Sequence, residues 1–297
     1  MSTDILTRFQ AFMQARGLAA PTRKHYAYYI ERCARESGRS LDRLTPTQAR
    51  RWLETLAASN DLSGSTFRLA HYSCRIWFCD FLGKSASFGP KPASSRRRDA
   101  ITTLSSGQLI LLLNHIQDRR HRLLALMLYA TGLRVGEGVS LRRDDVLWEQ
   151  GQIRVRRQKG GGGRLVCLPP ELARRLRQHC ATWQGSPFVF ASPEDPQQHL
   201  SVSTIQDAVR AARRAARLPE WLTCHTLRHC FATHQLQLGL DVRSLAQQMG
   251  HSSLAPTMRY LHALDLTHGR PCATHDLCAV LTTVWRRQSQ RANGGAR

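Results

Sequence analysis

The chain has 297 residues, enough for about two domains with separate cores. A formal net charge of +22 with 42% apolar residues excludes a disordered basic tail and points to a folded protein with a polyanionic partner, nucleic acid being the commonest. Nine scattered cysteines without a CxxC pair, an opening MSTDILTRFQ without a signal-peptide pattern, and no apolar run of membrane length predict a reduced, cytoplasmic protein outside the membrane.

Residues 1–82 carry helical periodicity alone, with helices predicted near 3–16, 22–37, 46–58 and 63–82. Thr45-Pro46 reads as a cap followed by proline at the first helical position, and Gly83 as a stop. The stripe Phe67, Tyr72, Trp77, Phe78 and Phe81 is read as core rather than as a base-stacking platform. Residues 83–99 read as a linker rich in Gly, Pro and Ser. Its triplet Arg96-Arg97-Arg98 is either a solvated hinge or a strap across a phosphate backbone. The net charge is +9 over residues 1–99 and +13 over the remainder, so both parts suit a polyanion.

From residue 100 the pattern is mixed. Helices are predicted near 105–116 and 119–132, then short strands in VLWEQGQ, IRVRRQ and RLVCLP, the last two forming a hairpin around KGGGG. Helices follow near 170–180, 202–217, 226–238, 242–250, 256–262 and 275–288. The fold class is therefore mainly α, with a small antiparallel β-sheet in an α+β second domain and an all-α first domain. The apolar segment after Tyr260 suits either its own domain or a neighbouring copy.

Three stretches could carry chemistry: ATGLRVGEGVSL at 130–141, HTLRHCFATH at 225–234 and MGHSSLAPTMRYLH at 249–262. Breaking a phosphodiester without a metal needs a nucleophile, cations for the charge that builds on phosphate, and a proton for the leaving oxygen. Tyr260 can supply the first as a phenol that forms a phosphoester; Tyr129, in the middle of an apolar helix, reads as core. Arg134 and Arg228 can each donate two parallel hydrogen bonds to phosphate oxygens. Glu137 lies one turn beyond Arg134, placed to hold its guanidinium. Lysine stands only at 24, 84, 91 and 159, so Lys159 is the one amine after residue 99 in a domain otherwise armed with arginine. An amine can give up a proton where a guanidinium cannot, which marks Lys159 as a proton donor. Cys224, His225, His229, Cys230 and His234 crowd one segment, and His225 with His229 has zinc-ligand spacing. The glutamate of HExxH is missing there and Arg228 would repel a cation, so no metal is expected; His229 and His234 read as packing or capping histidines. Gly160–Gly163 lacks the GK[ST] ending of a phosphate loop, so no nucleotide cofactor is expected.

In this order the residues resemble the tyrosine recombinase (phage integrase) family, most like its Xer-type members. The set Arg134, Lys159, His225, Arg228, His251 and Tyr260 matches the family's signature, and Tyr260 follows His251 by nine positions as in relatives. The resemblance covers nearly the whole chain: a DNA-clamping helical domain (1–82), a basic linker (83–99) and a catalytic domain with its tail (100–297). It implies a site-specific recombinase or integrase of double-stranded DNA working through a 3′-phosphotyrosine, without metal or ATP. It also implies four protomers on two DNA sites, with a related recombinase or an accessory protein as a further partner. On this likeness His225 and His251 bind the phosphate, His225 also suits as proton acceptor for Tyr260, and Lys159 protonates the 5′-hydroxyl leaving group. The all-glycine tip beyond Lys159 departs from relatives, which carry a further charged residue there. A silent DNA-binding protein of the same fold, a type IB topoisomerase-like relaxing enzyme and a metal-dependent nuclease are the competing classes.

Overall fold

The structure, a computed structural model, describes residues 2–59, 64–89, 103–156, 163–182, 185–251, 253–258, 260, 276–279 and 281–282. It divides into two units, Met1–Asp99 and Ala100–Arg297. Arg96, Arg97, Arg98 and Lys159 lie outside the described residues.

In the first unit, α1 (Ser2–Ala15), α2 (Ala20–Glu36), α3 (Pro46–Ala58) and α4 (Gly64–Arg75) surround one core. Thr45 starts α3 through a reciprocal cap: its hydroxyl accepts from the Gln48 N–H at 3.3 Å, and Gln48 Oε1 accepts from the Thr45 N–H at 3.0 Å. The helix predicted near 63–82 does not run through as one α-helix, because Ile76–Phe81 widens into a π-helical turn. That turn holds Trp77 and Phe78, both fully buried; Phe9 meets Trp77 edge-on, 4.9 Å between ring centroids. The segment expected as linker begins on this core: Phe88 is buried near Phe78, and the Gly89 carbonyl lies 3.3 Å from His71 Nε2.

The second unit begins with α5 (Ser106–His115) and α6 (Arg119–Thr131). Every residue of α6 from Leu124 to Thr131 is buried, so this helix is wrapped on all sides and forms the centre of the domain. A short α7 (Val135–Val139), absent from the periodicity reading, comes next. The antiparallel sheet runs in the order β1 (Val146–Leu147), β2 (Gln152–Val155), β3 (Arg164–Cys167). Its register pairs Ile153 with Val166 and Val155 with Arg164. Then follow α8 (Pro170–Thr182), α9 (Val202–Ala215), α10 (Cys224–Gln237), α11 (Val242–Met249) and α12 (Ala255–Met258). The protein is thus mainly helical with one small antiparallel sheet. Of the helix predicted near 275–288, residues 277–279 and 281–282 are described as helical. Leu277, Cys278 and Leu281 are buried in their own domain's core.

One backbone reversal sets the position of the chemistry. Gly132 ends α6 with φ of 65° and ψ of 18°, the left-handed conformation glycine adopts without penalty. A Cβ there would stand 2.3 Å from the Phe231 ring of α10. Gly132→Ala is therefore expected to cost roughly 2–4 kcal/mol of stability, from overpacking plus backbone strain. Urea denaturation checks this, and an unchanged midpoint would mean that the α6–α10 contact is looser than described.

Candidate active site

Beyond the reversal at Gly132, Arg134 caps α7 and Glu137 occupies the third position of that helix. Glu137 Oε2 accepts from the Arg134 backbone N–H at 2.8 Å, and its Oε1 accepts from Arg134 Nη1 at 3.0 Å. A second arginine reaches the same carboxylate. Arg164, at the start of β3, donates to Oε1 at 2.9 Å and to Oε2 at 2.7 Å. Burial alone would raise the Glu137 pKa, but the hydrogen bonds from Arg164 and from the Arg134 backbone, with the charges of both arginines, hold it below the usual carboxylate range. Glu137 is therefore an anionic brace at neutral pH, not a base.

Helix α10 brings the second half of the site. Arg228 is only 3% exposed, and its guanidinium donates to the Gly132 and Met249 carbonyls, the latter at 2.6 Å. Burial first, and the neighbouring Arg134 and Arg164 charges next, pull its pKa down to about 10, which leaves it charged at neutral pH. Arg228 Nη2 also lies 3.2 Å from His251 Nε2, and His251 Nδ1 lies 2.7 Å from Thr257 Oγ1. A guanidinium only donates, so on this pairing His251 accepts at Nε2 and its ring proton sits on Nδ1, directed at the threonine.

The phenol lies next to this cluster. Tyr260 is 2% exposed, and its hydroxyl is 2.8 Å from His229 Nδ1. The His229 ring meets that of His225 edge-on, with centroids 4.4 Å apart. His229 was expected to pack or cap; here it is a hydrogen-bond partner of Tyr260. His234, read in the same way, does serve packing, with Nδ1 2.9 Å from the Tyr129 hydroxyl inside the core.

Arg134, Glu137, Arg164, His225 and His251 line one open cavity of about 1060 Å³. Arg142, Arg154 and Arg156 share its wall, so five arginines face two carboxylates, Glu137 and Asp145. Asp145 is buried and holds Arg156 at 2.8 Å. The excess positive charge suits a polyanion rather than a metal ion. Among the described residues no three His, Cys, Asp or Glu side chains gather as a metal-holding group. Tyr260 is not among the cavity-lining residues. Sequence reading passed over the strand arginines, although IRVRR alternates so that Arg154 and Arg156 leave β2 on the face opposite buried Ile153 and Val155.

Comparison with known proteins places the chain among relatives. Residues 103–266 match the model of the phage integrase family, and residues 5–87 match the phage integrase N-terminal SAM-like domain. An integrase/recombinase of Escherichia coli is 30% identical over 290 residues, covering 82% of this chain and 85% of that protein. Tyrosine recombinase XerA of Pyrococcus furiosus is 28% identical over 265 residues, covering 88% and 90%. Among solved structures, a XerA recombinase superposes with a TM-score of 0.50 at 26% identity, over 89% of this chain and 95% of that one. A lambda integrase dimer bound to a COC′ core site gives a TM-score of 0.69 at 16% identity, over 91% and 79%, a likeness of fold.

Proposed function

Because the chain belongs to the phage integrase family and is a tyrosine-recombinase-type DNA strand transferase, we propose that it recombines double-stranded DNA at specific sites through a covalent 3′-phosphotyrosine at Tyr260. One observation carries this reading: two guanidinium groups, Arg134 and Arg164, share one carboxylate at an open cavity, a third, Arg228, lies near enough for their charges to lower its pKa, and a phenol lies one hydrogen bond from the helix that bears Arg228. Such a cluster is short of negative charge, and a phosphate diester supplies it.

In the proposed reaction the Tyr260 oxygen attacks phosphorus and the bond from phosphorus to the 5′-oxygen breaks. The phenol proton passes to an imidazole. His229 is hydrogen-bonded to the phenol, and His225 is the family's position for this role. Lys159 delivers a proton to the departing 5′-oxygen. Arg134, Arg228 and His225 hold the non-bridging oxygens as charge accumulates on them, and His251, the family's further position for this role, joins them by exchanging its contact with Arg228 for one to the phosphate. One phosphoester replaces another, so no ATP is consumed, and the guanidiniums provide the charge that a metal would otherwise bring. A 5′-hydroxyl of the partner strand then reverses the attack and reseals the new joint. Tyr260 is shielded here, so its segment moves for the oxygen to meet a phosphate held by Arg134. Both units carry net positive charge and are assigned to DNA contact, with Arg96, Arg97 and Arg98 on the backbone between them. Four protomers on two sites complete the assembly.

Capture tests the proposal. Wild-type protein incubated with fragmented DNA of its source cell, in excess chelator and without nucleotide, is expected to yield DNA that stays attached in hot detergent and maps to a few sites. No attached DNA, or attachment only on adding a metal, would reject the reading. On a nicked duplex carrying the mapped site, Lys159→Ala is expected to slow cleavage at least ~10²-fold, the usual worth of a positioned acid. A 5′-bridging sulfur, which leaves without a proton, should restore that rate. Failure of the sulfur substrate to restore it removes Lys159 from the acid role.

A further inference from the structure

Arg164 stands where a strand normally carries an apolar residue. It is paired with Val155 and shares its face of the sheet with Val166, both buried, so its guanidinium is directed into the domain. A charge in such a place needs full pairing. It finds this in two groups: both oxygens of Glu137, at 2.9 and 2.7 Å, and the Gln248 carbonyl, which accepts from Nε at 2.8 Å. The end of α11 is fitted around the same group. Gly250, at φ of 63°, has no room for a Cβ, which would stand 2.8 Å from Arg164 Nη1. Three separate elements therefore converge on one side chain: β3, the start of α7 and the end of α11.

Two consequences follow for Arg134. Its partner Glu137 is held by the Arg164 fork and so cannot swing away when DNA arrives. The carboxylate is also shared between two cations, so the trio keeps a net positive charge; Glu137 paired with Arg134 alone would cancel it. Building on the function proposed above, we infer that Arg164 is a positioning residue for strand cleavage: through Glu137 it aims Arg134 at the scissile phosphate and preserves its charge.

The test uses the full chain and a nicked duplex carrying the attachment sequence recovered by covalent capture, with the single-turnover rate of adduct formation as readout. Arg164→Gln is expected to slow cleavage roughly 10²-fold, as misplacement of a catalytic group does. Binding of the same duplex should stay within about threefold of wild type, as for a group acting through Arg134 rather than on DNA. Arg164→Lys, which keeps the charge but loses the fork, should fold like wild type and fall between the two. Adding Arg164→Gln to Arg134→Ala should cause no further loss, because the first acts through the second. A duplex with a neutral methylphosphonate at the scissile position should relieve Arg164→Gln and Arg134→Ala alike, since less charge then needs a cation. Additive losses in the double variant, or an equal defect of Arg164→Gln on phosphate and methylphosphonate, would overturn the inference. If Arg164→Gln does not fold, the same two outcomes are read on Arg164→Lys. Wild-type protein that forms no adduct on the phosphate duplex overturns the parent reading, and this inference with it.

Discussion

Phenylalanine in place of Tyr260 is expected to abolish covalent capture of DNA while leaving the protein folded and able to bind. The substitution removes one oxygen and with it the hydrogen bond to His229 Nδ1 at 2.8 Å. That loss is worth about 1 kcal/mol of stability, a small fraction of a domain's total. The ring itself stays in a pocket where it is 2% exposed, so packing is preserved. Chemistry has no such tolerance, because a benzene ring offers no oxygen to phosphorus. Denaturing gels of the nicked duplex read the adduct, and gel shifts of the intact duplex read affinity. Adduct formed by Tyr260→Phe at more than a trace would move the nucleophile elsewhere in the chain.

Alanine in place of Arg228 is expected to strike twice. As one of the two guanidiniums assigned to the phosphate, its loss should slow cleavage by roughly 10²–10³-fold, the range seen when a preorganised donor to a developing charge is deleted. The structure gives the same side chain a second task, since it ties the Gly132 carbonyl at the end of α6 to the Met249 carbonyl at the end of α11. Removing it leaves both acceptors without this donor in a buried setting, at a cost of about 1–3 kcal/mol. The two effects separate by temperature: rates are compared well below the variant's melting transition, where the fold is intact. Arg228→Lys should not rescue, because one ammonium cannot span two carbonyls and a phosphate. Cleavage within tenfold of wild type in Arg228→Ala would remove Arg228 from the reaction and leave it as a clamp between helices.

The longer helices were legible from their apolar period, whereas α7, five residues long, is too short to show one. Thr45-Pro46 was legible as the start of α3, and the structure adds a cap of the same kind at Ser105 and Gln108 for α5 and a glycine stop at Gly132 for α6. The motif residues were legible from their order, and the structure brings Arg134, His225, Arg228, His251 and Tyr260 into one region, with Glu137 bracing Arg134. Roles that depend on pairs distant in sequence were not legible. Arg164 and Glu137 are 27 positions apart, and in a chain of 39 arginines nothing local distinguishes Arg164. The clue was its phase: in RLVC it falls on the same face as Val166, where an arginine must be there for a partner. His229 was read as packing for the same reason, because its partner Tyr260 lies 31 positions on. The π-helical turn at Ile76–Phe81 has no sequence signal in the 3.6-residue pattern, which counts apolar positions and is blind to one extra residue per turn.

The atom of the protein that bears DNA decides between Tyr260 and any other nucleophile. Wild-type adduct, trimmed with nuclease and protease, can be read by mass spectrometry for the residue that retains a nucleotide. The expected result is a single modified peptide with a 3′-linked nucleotide on the Tyr260 oxygen, absent from Tyr260→Phe protein. A nucleotide on any other side chain, or on none, would contradict it.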